Sequence, residues 1–235
     1  MIKAVFFDWF NTLAVYDPPR EELQSQACQE FGIDVSPEKI LPALLIADKI
    51  YTDANAVLPV LKRSPEEQTE FWIQYERGIL SEAGINISLE QSVLLGILKK
   101  AQELSSGMQF ALFDDVISTL KLVKERNLTT GLLTNLTTDM KPIFYDLGLN
   151  PFIDIVVTSG EVGFDKPEPA FFQAALQMAD VNASEAIHVG DQPTTDILGA
   201  KGVGITPILI DRFDLNPYIK DCIRIKSLTE LIQYI

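Results

Sequence analysis

AVFFDWFNTL, residues 4–13, decides the fold, because four apolar residues run directly into the acidic Asp8. A continuous apolar run without alternation is typical of a strand buried on both faces, as in a parallel sheet. Ligands of open parallel sheets bind at the carboxyl ends of the strands, where the loops meet. We therefore expect Asp8 to stand where a bound ligand would meet a reacting group.

Similar short apolar runs recur in the C-terminal half of the chain, with helical patterns between them. The further predicted strands are Thr130–Thr134, Ile153–Ser159, Ala186–Gly190 and Ile205–Ile210. The predicted helices are Val116–Arg126, Thr137–Leu147, Pro169–Met178, Thr194–Lys201 and a last one after the capping-box pair Ser227 and Glu230. This alternation predicts an α/β fold, a Rossmann-like parallel sheet with helices on both faces.

Residues 15–110 differ, because they contain helix starts and no convincing buried strand. Ser64-Pro65-Glu66-Glu67 combines an N-cap, a proline at the first helical position and an acidic third residue. Ser88 with Gln91 suggests a second capping box. We therefore predict two domains, a core of residues 1–14 and 111–235 and a mainly α-helical insertion of residues 15–110.

Composition narrows the classes of partner and the location. The 235-residue chain has a net charge of −14, which excludes the basic patch that a nucleic acid or an anionic membrane surface would need. The N-terminal residues are expected to form a strand and not a signal peptide, because no small-residue cleavage site follows their short apolar run. No segment approaches the ~20 apolar residues of a membrane span. Two distant cysteines, Cys28 and Cys222, are expected to be reduced thiols. We expect a cytoplasmic protein, either a monomer or a homodimer.

Polar or charged residues whose chemistry fits together follow four of the predicted strands. They are Asp8, Thr134 with Asn135, Lys166, and Asp191 followed by Asp196. Taken singly, each of these is ordinary loop or turn chemistry. Together, and at one edge of one sheet, they indicate a catalytic site. His188, the only histidine, lies inside a predicted strand and is expected to be a packed, hydrogen-bonded core residue.

The chemistry of these residue types explains why they belong together. Converging carboxylates repel one another, and a hard divalent cation such as Mg²⁺ relieves that cost with oxygen ligands. Asp8 and Asp191, with one backbone carbonyl, make a plausible Mg²⁺ site. Lys166 adds a positive charge that keeps Asp8 ionised and neutralises developing negative charge. The Thr134 hydroxyl can hydrogen-bond the oxygens of a phosphoryl group.

The constellation resembles the haloacid dehalogenase superfamily of hydrolases, with motifs FFDWFNTL, LLTN, GFDKPEPAFF and HVGDQPTTDILGA. The resemblance implies that Asp8 is the nucleophile and that the helical insertion is a cap domain, which closes over the site and selects the substrate. It implies the remaining roles residue by residue: Thr134 and Lys166 bind the transferring group, Asp8, Asp191 and the Phe10 carbonyl hold the metal, Asp196 supports the metal or its waters, and Trp9, Phe10, Thr12 and Asn135 contact the substrate.

Phe10 departs from the phosphatase pattern. Phosphatases of this superfamily carry a second Asp two residues after the nucleophile, which protonates the leaving alcohol, and a phenyl ring cannot transfer a proton. The 2-haloacid dehalogenases also have an aromatic residue there, because a halide needs no proton. They generally replace the Asp of the fourth motif with Ser, however, whereas this chain keeps Asp191. Their cap-proximal arginine would correspond to Arg20, which lies earlier than expected.

Three functions follow, in order. The first is a Mg²⁺-dependent phosphomonoester hydrolase that acts on a small phosphorylated metabolite through an aspartyl phosphate on Asp8. The second is a metal-independent 2-haloacid dehalogenase in which Asp8 attacks carbon, with a halogenated small molecule as substrate. The third is a catalytically weak member that binds a ligand or a partner protein. The retained metal-type carboxylate, Asp191, places the phosphatase first.

Overall fold

The computed structural model describes residues 1–85 and 88–235, which separate into two compact units. The first unit consists of Met1–Val15 and Phe110–Ile235, and the second of Tyr16–Gln109. Two residues of the predicted insertion, Asn86 and Ile87, lie outside the described residues. Within the described ranges, no helix has both the length and the apolar character to cross a membrane.

Strands and helices alternate through the first unit, and helices dominate the second. The strands are β1 (Ala4–Phe7), β2 (Ala14–Asp17), β3 (Gln109–Leu112), β4 (Thr129–Thr134), β5 (Ile155–Thr158), β6 (Ala186–Gly190), β7 (Thr206–Ile210) and β8 (Ile223–Ile225). The helices are α1 (Arg20–Glu30), α2 (Pro37–Val57), α3 (Pro65–Glu82), α4 (Gln91–Leu104), α5 (Val116–Glu125), α6 (Lys141–Asp146), α7 (Ser159–Val162), α8 (Pro169–Ala179) and α9 (Leu198–Val203). Shorter turns of helix are Val60–Lys62, Ala183–Glu185, Pro193–Ile197 and Leu228–Gln233.

Six parallel strands form the sheet of the first unit, in the order β5-β4-β1-β6-β7-β8. The strand β1 is central, and its last residue, Phe7, pairs with Leu132 of β4 on one side and Val189 of β6 on the other. The predicted α/β fold is confirmed. The order reverses direction at β1, so the carboxyl end of β1 lies at the switch point where such sheets bind ligands.

Successive side chains of β1 lie on opposite faces of the sheet. Val5 and Phe7 belong to one core, in which the sheet packs against α5 and the C-terminal turn of helix. Ala4 and Phe6 belong to a second core, in which the sheet packs against α8 and α9. All four are completely buried. This two-sided burial is why the strand is apolar at every position, and each phenylalanine contributes roughly 1.5–3 kcal/mol.

The second unit contains α1 to α4, which enclose an apolar core of their own. Helix α3 begins as predicted, because Ser64 and Glu67 form the full capping box. The capping box predicted from Ser88 and Gln91 was wrong, since α4 begins at Gln91 with Glu90 as its N-cap and without a side-chain cap. Gln91 is therefore the first residue of the helix and not its third.

The predicted last helix is a short 3₁₀ helix, Leu228–Gln233. Ser227 caps it, and the reciprocal bond from Glu230 completes the predicted capping box. Leu228 and Leu231 bury their side chains in the core on the α5 face of the sheet. The two small strands β2 and β3 pair with each other in a separate sheet of two strands.

Candidate active site

The predicted strand ends meet at one edge of the sheet. Asp8 directly follows β1, and its backbone N–H donates a 2.8 Å hydrogen bond to the carbonyl of Val189 in β6. Thr134 ends β4 and Gly190 ends β6, and these two strands flank β1. Parallel strands end at a common edge, so the fold brings Asp8, Thr134 and Asp191 to the same rim.

Lys166 joins two of these carboxylates from the loop before α8. Its ammonium Nζ donates hydrogen bonds to Oδ1 of Asp8 and, at 2.7 Å, to Oδ1 of Asp196. The lysine is only 5% exposed, and Asp8 is 8% exposed. Charge-assisted bonds of this kind are stronger than neutral ones, and burial protects them from screening by salt.

The side-chain amide of Asn135 fixes the backbone of Lys166. Its Oδ1 accepts a 2.8 Å bond from the Lys166 N–H, and its Nδ2 donates a 3.1 Å bond to the Lys166 carbonyl. The backbone carbonyl of Asn135 in turn accepts from the Ser159 hydroxyl at 2.8 Å. Asn135 thus ties the loop that carries the lysine to the end of β4. Sequence reasoning missed this positioning contact, because the two residues are 31 apart and no spacing rule joins them.

Asp196 is held on all sides by protein donors. Its Oδ1 lies 2.7 Å from Lys166 Nζ and 3.0 Å from His188 Nε2, and its Oδ2 accepts a 3.0 Å bond from the Gln192 N–H. A Cβ atom on Gly190 would lie 2.3 Å from Cγ of Asp196, so the carboxylate fills the space that a side chain would need. The His188 ring is packed and completely buried, as predicted; its Nε2 contacts Asp196, whereas its Nδ1 has no hydrogen-bond partner among the described residues.

Interactions between neighbouring charges keep both Lys166 and Asp196 ionised. Burial alone would lower the pKa of Lys166, but the Asp196 and Asp8 carboxylates outweigh it and raise that pKa above its ordinary value. Burial would raise the pKa of Asp196, but Lys166 and His188 hold it below its usual range. For Asp8, burial wins over the pull of Lys166, so its pKa is raised.

Asp191 completes a set of three carboxylates. One oxygen of each of Asp8, Asp191 and Asp196 can be chosen so that all lie within 4.8 Å of one another. Burial first, and then repulsion from Asp8 and Asp196, raises the pKa of Asp191 well above its usual value. Its Oδ1 is buried without a hydrogen-bond partner among the described residues, whereas Oδ2 accepts from Gln192 Nε2 at 2.9 Å. An orphaned carboxylate oxygen beside a second carboxylate fits a hard cation such as Mg²⁺.

The other residues predicted to contact the substrate are Trp9, Thr12 and Phe10, and two of these are completely buried. Trp9 is completely buried and packs edge-on against Phe110, with ring centroids 5.3 Å apart. Thr12 is also completely buried, and its hydroxyl has no partner among the described residues. Phe10 is partly buried and forms a bridge with Ala14. Their roles stay predictions, and the burial of Trp9 and Thr12 favours support from beneath the site over direct contact with a substrate.

Thr134 is the last residue of β4, which is a neighbour of β1 in the sheet. It is 3% exposed, and its hydroxyl accepts a 3.3 Å hydrogen bond from the N–H of Leu136. That bond uses an acceptor lone pair and leaves the O–H proton available to donate. A group bound beside Asp8 could therefore receive this proton. The proposed contact with a phosphoryl oxygen stays a prediction.

Comparisons with known proteins agree with this architecture. The family model described as "Hydrolase: haloacid dehalogenase-like hydrolase" matches residues 2–204. A ribulose-1,5-bisphosphate 5-phosphatase from Halopiger xanaduensis is 29% identical, over 90% of this chain and 85% of that protein. The human haloacid dehalogenase-like hydrolase domain-containing protein 3 is 30% identical, over 94% of this chain and 87% of that protein.

A solved structure points to the second branch of the same family. The 2-haloacid dehalogenase from Pseudomonas syringae pv. Tomato DC3000 is 26% identical, covers 99% of this chain and 97% of its own, and superposes with a TM-score of 0.54. The chain therefore belongs to the haloacid dehalogenase-like hydrolases and is an enzyme of the hydrolase class.

Proposed function

We propose that the protein is a Mg²⁺-dependent phosphomonoester hydrolase that acts on a small phosphorylated metabolite. The single observation that carries the proposal is the unpartnered, buried Oδ1 of Asp191 beside Asp8. Two like charges at this distance destabilise each other unless a cation lies between them. A dehalogenase that works without a metal has no use for such a pair. The phosphatase names of relatives give independent support.

In the proposed reaction, Asp8 is the nucleophile. One of its carboxylate oxygens attacks phosphorus in line, the bond from phosphorus to the leaving oxygen breaks, and an aspartyl phosphate forms. Water then attacks that phosphorus, which releases inorganic phosphate and regenerates the Asp8 carboxylate. Lys166, held by Asp196 and Asn135, places its charge beside the transferring group throughout. The Thr134 hydroxyl donates to a phosphoryl oxygen.

Asp8 and Asp191 would hold Mg²⁺, together with the Phe10 carbonyl, and Asp196 would stay in support because protein donors occupy its oxygens. The metal, when bound, neutralises phosphoryl charge so that an anionic nucleophile can approach. The helical unit, Tyr16–Gln109, would serve as the cap that selects the substrate.

The absence of a carboxylate at Phe10 sets a substrate preference. The leaving oxygen must depart without a positioned acid and take its proton from water, which typically costs a factor of ~10² to 10⁴ in rate. Aryl phosphates, whose leaving groups are weakly basic, should therefore turn over much faster than alkyl phosphates. Equal rates on the two classes would contradict this role of Phe10.

The 2-haloacid dehalogenase is the second candidate, because Phe10 and the Pseudomonas syringae structure favour it. One parallel screen separates the two, with phosphate esters and short 2-haloacids each tested with Mg²⁺ and with a chelator. Phosphate release that the chelator abolishes supports the proposal, whereas chelator-insensitive halide release supports the dehalogenase. The Asp8→Asn variant should lose either activity, and ligand binding without turnover that this variant leaves unchanged would indicate a binding protein instead.

A further inference from the structure

A cavity of about 290 Å³ lies wholly within the helical unit, Tyr16–Gln109. Its walls come from all four helices, and three aromatic residues, Tyr51, Trp72 and Tyr75, are among them. The rings of Tyr51 and Trp72 are stacked with centroids 5.7 Å apart, and Tyr75 meets Trp72 edge-on at 5.4 Å. The volume is at the lower end of the range for small-molecule sites.

Two charged residues of the wall cancel each other. Arg20 donates to both carboxylate oxygens of Asp48, at 2.7 Å and 3.0 Å, in the paired geometry of a strong ion pair. The Tyr75 hydroxyl adds a 3.0 Å bond to Asp48 Oδ1. Among the described residues that line the cavity, Arg20 is the only cation. The charge of Arg20 is therefore neutralised by Asp48.

Glu76 is the remaining ionisable carboxyl group of the cavity wall. It lines the cavity, it is completely buried, and its Oε1 accepts a 2.7 Å bond from Gln24 Nε2. Its other oxygen, Oε2, has no hydrogen-bond partner among the described residues. A buried carboxyl oxygen left unpaired costs free energy, and each such group calls for an explanation. Burial raises the pKa of Glu76 to about 8, which a neighbouring cation would reverse.

We propose that this cavity is a binding site for a small organic ammonium compound, whose cationic group pairs with Glu76 against the aromatic wall. A bound cation would hold Glu76 ionised, and Glu76 is the one carboxyl group of the cavity wall that Arg20 does not pair with. The cationic group would lie on the side of the cavity that Glu76 lines, and aromatic rings attract organic cations by their electron-rich faces. The site lies in the helical unit, so the proposal does not depend on the chemistry at Asp8.

Titration calorimetry on the full chain tests the proposal with choline and ethanolamine as probes, and with 3,3-dimethylbutan-1-ol as the uncharged analogue of choline. We expect saturable binding of at least one ammonium probe and at least tenfold weaker binding of the uncharged analogue. Glu76→Gln, which keeps the size and the bond with Gln24, should weaken ammonium binding at least tenfold. Trp72→Leu should weaken it roughly tenfold through the lost aromatic face.

Glu82→Gln is the matched control, since Glu82 lies on the same helix, is exposed and does not line the cavity. It should bind the ammonium probes as the unchanged protein does. Absence of saturable binding of both ammonium probes would overturn the proposal. Equal binding of choline and its uncharged analogue, or affinity unchanged in a folded Glu76→Gln variant, would overturn it as well.

Discussion

Replacing Glu76 with Gln should make the protein more stable at alkaline pH. The pKa of this buried carboxyl is raised to about 8, from 4.5 in a solvated glutamate, and burial is the main cause. Because the folded state holds the proton more tightly than the unfolded state, folding is favoured while Glu76 is neutral in both. That stability is lost as the pH rises from about 4.5, and the loss is complete above about 8.

The magnitude follows from the two pKa values. A tenfold change in proton affinity corresponds to about 1.4 kcal/mol, so the whole loss is roughly 5 kcal/mol, of which about 4 kcal/mol falls between pH 5 and pH 9. Glutamine carries no charge at either pH. The stability advantage of Glu76→Gln over the unchanged chain should therefore grow by about 4 kcal/mol between these two values.

Urea unfolding of both proteins at pH 5, 7 and 9 measures this difference, provided that the unfolding slope m is the same. The comparison cancels the neighbouring groups that both proteins share, which are Arg20, Asp48, Tyr75 and Cys28. Of these, Cys28 has a pKa raised to about 12, mainly by burial, so it stays protonated in the folded state of both proteins throughout the window. Parallel stability curves for the two proteins would show that Glu76 ionises as a solvated carboxyl does, and would refute the reasoning.

Three further predictions concern the first unit and the helical unit. Phe10→Asp should raise the turnover of alkyl phosphates by about 10²-fold while changing aryl phosphates little, in a steady-state assay of phosphate release. Gly190→Ala should lower the free energy of unfolding by at least about 2 kcal/mol and displace Asp196, since the new Cβ would meet its carboxylate at 2.3 Å; unchanged stability and activity would contradict this. Ser64→Ala should cost about 1 kcal/mol, seen in thermal unfolding, because the capping box with Glu67 is lost.

The core strands could be predicted from sequence because each is buried on both faces. Ala4–Phe7 and Ala186–Gly190 have the predicted bounds, since an apolar run has no other stable place in a sheet of this kind. The short strand Ile223–Ile225 was missed, because it has three residues and lies at the edge of the sheet. A three-residue run gives too little periodicity to be recognised.

Helix boundaries near the site were less predictable. The helix predicted to begin at Thr137 begins at Lys141, and the one predicted from Thr194 is preceded by a turn of π-helix over Pro193–Ile197. That turn carries Asp196, whose carboxylate bonds with Lys166 and with the Gln192 N–H. Local helix propensity does not encode the bond with Lys166, which is 30 residues away, so the sequence pattern predicted a regular helix where the structure has a π-helical turn.

The residues of the candidate site could be picked out from the sequence by their residue types, but the hydrogen bonds between them could not be predicted. Asp8 and Asp191 stand out as charges directly after apolar strands, and Lys166 stands out as a lysine before a proline in the loop that precedes α8. The bond of His188 to Asp196 depends on the π-helical turn that follows β6, and the clamp of Asn135 on Lys166 depends on which strands are neighbours in the sheet. That order can be read only from the folded chain.

The central position of β1 has a consequence for synthesis. Among the six strands of the sheet, β1 comes first in the chain, yet its partners begin only at Thr129 and Ala186. While the ribosome makes the intervening residues, the helical unit 16–109 is complete and its local contacts can form, but β1 has no strand beside it. The nascent chain therefore exposes an unpaired apolar strand until β4 emerges.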